Sequence, residues 1–178
     1  MNSPCPKIAK KKCNNLLQNL YKKNMVYFKI TGGEIVPEIE MMLSDTVFYL
    51  KWKIQKELDV EVHRQSLWHH NRMLRDHECI EDYDFRENET LYLTVTPLPP
   101  HHKLHVLVKS FGSDGYVRVK ETDKVNELYN KVEKYWGIPS NRIILKRRNV
   151  VMENNLPLYT YYVNEASEVQ LFISIEPR

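Results

Sequence analysis

A two-layer α+β fold, one amphipathic helix against a small sheet, is predicted twice in succession along this chain. Three observations predict it: apolar residues recur at a constant offset of 78, segments alternate where strands should lie, and a helical stripe stands between them. Val26, Phe28 and Ile30 recur as Leu104, Val106 and Val108, and Ile39 and Met41 as Val117 and Val119. Val47, Leu50 and Ile54 recur as Val125, Leu128 and Val132, and Leu67, Leu74 and Ile80 as Leu145, Met152 and Leu158. Tyr83 and Phe85 fall on Tyr161 and Val163, and Leu91, Leu93 and Val95 on Val169, Leu171 and Ile173, with no gap needed.

Each repeat opens with two alternating segments whose apolar side chains share one face, a hairpin turned at Gly32-Gly33 or between Gly112 and Gly115. Ser44-Asp45-Thr46 then offers side-chain oxygens to the bare amides of a helix start. Val47, Leu50 and Ile54 follow at the three- and four-residue spacing of a helix face. In the second repeat Gly137-Ile138-Pro139 ends the helix, because glycine accepts the left-handed cap and proline cannot continue the turn. A short strand through Leu67 or Leu145 and an alternating last strand complete a unit of about 70–75 residues, near the lower limit for an independent core.

Composition narrows the classes. With 42% hydrophobic and 28% charged residues the chain reads as globular. No apolar run approaches the ~18 residues of a membrane span, and the start lacks a secretory signal pattern, so an intracellular protein, cytoplasmic, nuclear or both, is expected. Cys5, Cys13 and Cys79 cannot all pair and form no CxxC, which suggests reduced thiols. The net charge of +3 conceals a division: residues 1–24 carry six lysines and no acid, residues 25–96 sum to −6, and residues 97–178 to +3.

The residues also resemble a known family. Ser44-Asp45-Thr46 with Lys53-Ile54-Gln55, Leu74-Arg75-Asp76 with Glu81-Asp82-Tyr83, Glu89-Thr90-Leu91-Tyr92-Leu93, and Gly137-Ile138-Pro139 are similar to stretches of ubiquitin. The resemblance implies two consecutive ubiquitin-like β-grasp domains, residues 25–96 and 103–178, after a basic tail at 1–24 and joined by a Pro/His linker at 97–102. It further implies structural roles for Tyr83 and Tyr161, with buried rings hydrogen-bonded to a backbone carbonyl. Pro177 and Arg178 stand where the family's modifiers carry two glycines, so a conjugated modifier is not expected. The family's apolar binding patch maps onto Gly33, Trp68 and Thr94 in the first repeat and onto Phe111, Lys146 and Phe172 in the second; neither reproduces it.

Two readings stand for each altered patch. Trp68, flanked by His69 and His70, presents an aromatic anchor to a partner, or covers the sheet and packs on the second repeat. Phe111 and Phe172 around Lys146-Arg147-Arg148 suit an acidic protein, or the basic run is a solvated strand. The pairs His69-His70 and His101-His102 should point their rings apart and lack a zinc spacing, so no metal or other cofactor is expected. Cys79 near His77 lacks an oxyanion arrangement, and no enzyme is expected. The expected protein is a monomeric, non-conjugated adaptor binding other proteins, ubiquitin-pathway receptors among them, with no small-molecule substrate. The alternative is a diverged modifier relative, or a protein acting on nucleic acid or anionic membrane through Lys7 to Lys23.

Overall fold

The computed structural model describes residues 24–175. The readings of the basic tail, of Cys5 and Cys13 and of Pro177-Arg178 lie outside these residues. The first repeat comprises β1 (Met25–Thr31), β2 (Glu38–Met42), helix α1 (Val47–Leu58), β3 (Gln65–His69), β4 (Arg72–Met73) and β5 (Asn88–Val95). The second comprises β6 (Leu104–Lys109), β7 (Gly115–Val119), helix α2 (Val125–Trp136), β8 (Ile143–Arg147), β9 (Val150–Val151) and β10 (Glu168–Ile173). Both helices, the third and fourth strands and the short 3₁₀ turns at Ile80–Tyr83 and Leu158–Tyr161 keep the offset of 78 to the residue. The sheet orders are β2-β1-β5-β3-β4 and β7-β6-β10-β8-β9. In each, the first and last strands run parallel at the centre and the other pairs are antiparallel. This is the ubiquitin-like β-grasp order, twice over, and the α+β class is as expected.

Local chemistry places the helices. The Thr46 side chain accepts from the Tyr49 amide at 3.3 Å, and Asp45 accepts from Met42 N at 2.9 Å, closing the turn before α1. Gly137, at φ 67, caps α2 in the left-handed region, and its amide bonds the Glu133 carbonyl at 2.8 Å. The repeated apolar positions fill the cores: Phe28, Ile30, Leu50, Ile54, Leu67 and Leu91 in the first unit, Val106, Val108, Leu128, Val132, Leu145 and Val169 in the second, are wholly buried.

The two repeated tyrosines differ from expectation in one respect. Both rings are buried, but the hydroxyls accept from backbone amides: Arg75 N on Tyr83 and Glu153 N on Tyr161, each at 2.8 Å. The phenols sit beneath the amide that follows β4 or β9, and Tyr83 donates its own proton to Glu78. Burial raises both phenol pKa values, so the hydroxyls stay protonated at neutral pH. Tyr161→Phe leaves the Glu153 amide without its acceptor and is expected to lower stability by about 1–2 kcal/mol, read from the midpoint of urea unfolding at unchanged m-value.

Candidate interaction surfaces and the junction between the repeats

The two repeats meet through a polar junction of defined geometry. On a strand, successive side chains face opposite ways, so on β8 Lys146 points out of the sheet and Arg147 into the protein. The Arg147 side chain is 1% exposed. Its Nε donates to the Tyr161 carbonyl at 2.7 Å, and Nη2 reaches the carbonyls of Tyr162 at 2.8 Å and Leu58 at 3.0 Å and the Asp59 carboxylate at 3.1 Å. Leu58 and Asp59 belong to the end of α1, so one guanidinium from the second repeat closes the helix end of the first. Burial pushes its pKa down, and the Asp59 charge opposes that shift.

Around this centre Arg148 bonds the Lys56 carbonyl at 3.0 Å and Asp59 at 3.3 Å. Asn164 donates to the Asp59 carbonyl at 2.9 Å and to Glu61 at 2.7 Å. On the other flank Arg64 and Glu121, both buried, pair at 2.7 Å; Arg64 also holds the Thr96 carbonyl at 2.8 Å, and Glu121 accepts from the Leu98 amide. The segment leaving β5 is thereby fixed from both repeats. The Glu34 amide donates to the Thr160 carbonyl at 2.8 Å, laying the first hairpin against the turn before β10. Between the flanks lies a cavity of about 320 Å³, walled mainly by Val60, Tyr92, Leu93, Val95, Tyr159 and Tyr162. Burial pushes the Tyr162 phenol up to about 12, so that hydroxyl stays protonated, while Arg64 and Glu121 line the same cavity.

The junction explains why the first altered patch contains glycine. A Cβ added at Gly33 would lie 2.5 Å from the Thr160 carbonyl oxygen and 2.7 Å from the Tyr162 ring. The second repeat therefore occupies the space a side chain there would need. Of the other two patch positions, Thr94 lines the cavity and accepts from Trp68 Nε1 at 3.2 Å, and Trp68 is half-buried on the outer face beside exposed Met73 and Tyr92. Trp68 thus lies at the open end of a face whose other end is covered.

The second repeat keeps its patch open. Phe111, the counterpart of Gly33, is 97% exposed at the β6–β7 turn. Phe172 and Lys146 share the outer face, with the ammonium 5.1 Å from the ring centroid. Tyr116 and Val151 add exposed apolar surface on the same side.

Three expectations are corrected. Arg147 is no part of an exposed aromatic-basic surface, because strand alternation turns it into the junction. His69, at the equivalent position of β3, also faces inward: it packs on Phe85 with centroids 4.8 Å apart and contacts Glu89 at 3.3 Å, away from the Trp68 face. His69 and His70 do not point apart. Left-handed backbone at His70, φ 51, brings the two rings together edge-on with centroids 4.2 Å apart, leaving His70 exposed at the β3–β4 turn. Among the described residues no three His, Cys, Asp or Glu side chains are grouped as metal ligands. Cys79 precedes the Ile80–Tyr83 turn, its amide donating to Asp82 at 2.8 Å. Arg64, Glu121 and Asn164 belong to no motif that the sequence displays.

Sheet order and helix placement give each repeat the ubiquitin-like β-grasp fold. Residues 26–98, the first repeat and the start of the tether, match the Ubiquitin family. Among solved structures, the chain is similar to the ubiquitin-like domain of the Arabidopsis thaliana protein At2g32350. In its solution NMR structure the match is 25% identical, covering 46% of this chain and 97% of that one at a TM-score of 0.40. A second structure of that domain, from NMR data combined with evolutionary couplings, gives 26% identity over 45% of this chain and 96% of that one, again at 0.40. No helix among the described residues is long and apolar enough to cross a membrane.

Proposed function

We propose that this chain is a non-catalytic, tandem ubiquitin-like interaction protein, an adaptor whose working face is the outer sheet of the second repeat. The observation that carries this reading is the asymmetry of two equivalent positions: Gly33 is covered by Thr160 and Tyr162, whereas Phe111 is 97% exposed. A fully exposed phenylalanine contributes nothing to the core it borders, and with Phe172 and Lys146 it forms an anchor for an acidic protein. Receptors of the ubiquitin pathway are the partner class to which a ubiquitin-like unit points. The first repeat supports that face by fixing the orientation of the second, with residues 25–96 and 103–178 as the two domains and 97–102 as the tether.

Affinity capture from a eukaryotic lysate, with bound proteins identified by mass spectrometry, tests the reading. Phe111→Ala/Phe172→Ala is expected to reduce specific partners about tenfold or more, since buried aromatic anchors carry ~2 kcal/mol or more of binding. Trp68→Ala is expected to leave most of them bound. Equal capture by the intact chain and the double variant, both folded by circular dichroism, sinks the proposal. Salt-sensitive capture lost only when residues 1–24 are removed would instead favour action through the basic tail.

A further inference from the structure

Helix α1 has two apolar faces where its fold needs one. Val47, Leu50, Ile54 and Leu58 enter the core, while Phe48, Tyr49 and Trp52 stand on the opposite side, each more than 40% exposed. The repeat supplies an internal control. At the same positions of α2 stand Asn126, Glu127 and Asn130, all exposed and polar, as a solvated helix face should be. The fold therefore does not call for aromatic residues here, and three exposed within five residues of one helix, two of them stacked, form a patch of the kind that marks interaction sites.

The patch has a definite shape and charge. Tyr49 and Trp52 stack at 5.5 Å with an interplanar angle of 13°, making a flat platform. Lys53 and Lys56 lay their ammonium groups 5.1 Å and 5.2 Å from the ring centroids of Tyr49 and Trp52. Neither ammonium is ion-paired with a carboxylate among the described residues: Lys53 Nζ donates to the Glu40 carbonyl at 2.6 Å, and Lys56 Nζ lies by the Trp52 ring. Lys131 makes the equivalent bond to the Arg118 carbonyl in the second repeat, so Lys53 has a structural duty, whereas Lys56 is available to a ligand.

We infer that this face of α1 is a second docking site, separate from the sheet surface, for an acidic protein segment carrying aromatic or leucine side chains. The rings provide the apolar contact, and Lys56, with Lys53 beside it, selects negative charge. A second copy of the chain is disfavoured because it would bring Lys53 and Lys56 against their own kind. A lipid surface is disfavoured because the unit that carries this face has a net charge of −6, which an anionic membrane would repel.

The test uses fluorescence anisotropy of labelled poly(Glu,Tyr) against the full chain, with poly(Glu) for comparison. Binding to poly(Glu,Tyr) is expected to weaken about tenfold when Phe48→Asn, Tyr49→Glu and Trp52→Asn transfer the face of α2 onto α1. Lys56→Glu alone is expected to weaken it about threefold, and added salt to narrow that difference. Undiminished binding by a folded triple variant, or equal preference for poly(Glu), overturns the inference. So does ring-dependent sedimentation with phosphatidylserine vesicles, or ring-dependent dimerisation in analytical ultracentrifugation.

Discussion

Replacing Arg147 with alanine is expected to destabilise the protein by about 3–5 kcal/mol and to separate the unfolding of its two repeats. The loss has two parts. The carbonyls of Leu58, Tyr161 and Tyr162, now served by one guanidinium, would be left without that donor in a site where only 1% of the arginine side chain meets solvent. Asp59 would keep only its contact with Arg148, itself half-exposed. Lysine is expected to rescue little, because a single ammonium cannot reproduce the planar fork that reaches acceptors in both repeats. Asp59→Ala should cost far less, about 1 kcal/mol, because its carboxylate is 39% exposed and the three carbonyls still hold Arg147. Scanning calorimetry checks this: one transition for the parent, and two, at least one of them at lower temperature, for Arg147→Ala. A single transition at the parental midpoint would mean that Arg147 is not what couples the repeats.

The fold was legible because both of its periodicities were written twice. Alternation at 26, 28 and 30 and again at 104, 106 and 108, with the helical stripe between, left one arrangement that buries the repeated positions wholly or in part, exposed Ile173 apart. The same alternation also contained the answer for Arg147. Leu145 is a core residue, so two positions on along β8 the side chain must face inward as well. Counting Lys146-Arg147-Arg148 as a single basic surface ignored that parity. His69 turns inward beside Leu67 for the same reason. The junction was not legible, since its partners, Asp59, Arg64, Glu121 and Asn164, come from loops and element ends whose meeting depends on how two finished units dock. Nor was the second apolar face of α1: Phe48, Tyr49 and Trp52 become anomalous only once Val47, Leu50 and Ile54 are seen to fill the core without them.

Gly33→Leu is the substitution expected to act next most strongly, and it does so without touching either core. Glycine here answers to space. The added Cβ meets the Thr160 carbonyl oxygen at 2.5 Å and the Tyr162 ring at 2.7 Å and 2.8 Å, inside the distance real contacts allow. Backbone cannot yield as a flexible side chain can, and the Tyr162 ring is itself 4% exposed. The hairpin and the turn before β10 must therefore part, breaking the bond from the Glu34 amide to the Thr160 carbonyl. Overpacking of this kind costs about 1–3 kcal/mol, and here it falls on the junction alone. Each repeat should keep its own secondary structure by circular dichroism while small-angle scattering reports a larger radius of gyration. Amide shifts should concentrate at Gly32–Glu34 and Tyr159–Asn164 and spare α2. If Gly33→Leu leaves dimensions and stability unchanged, the second repeat does not cover this face in solution, and the first repeat would have an open sheet surface of its own.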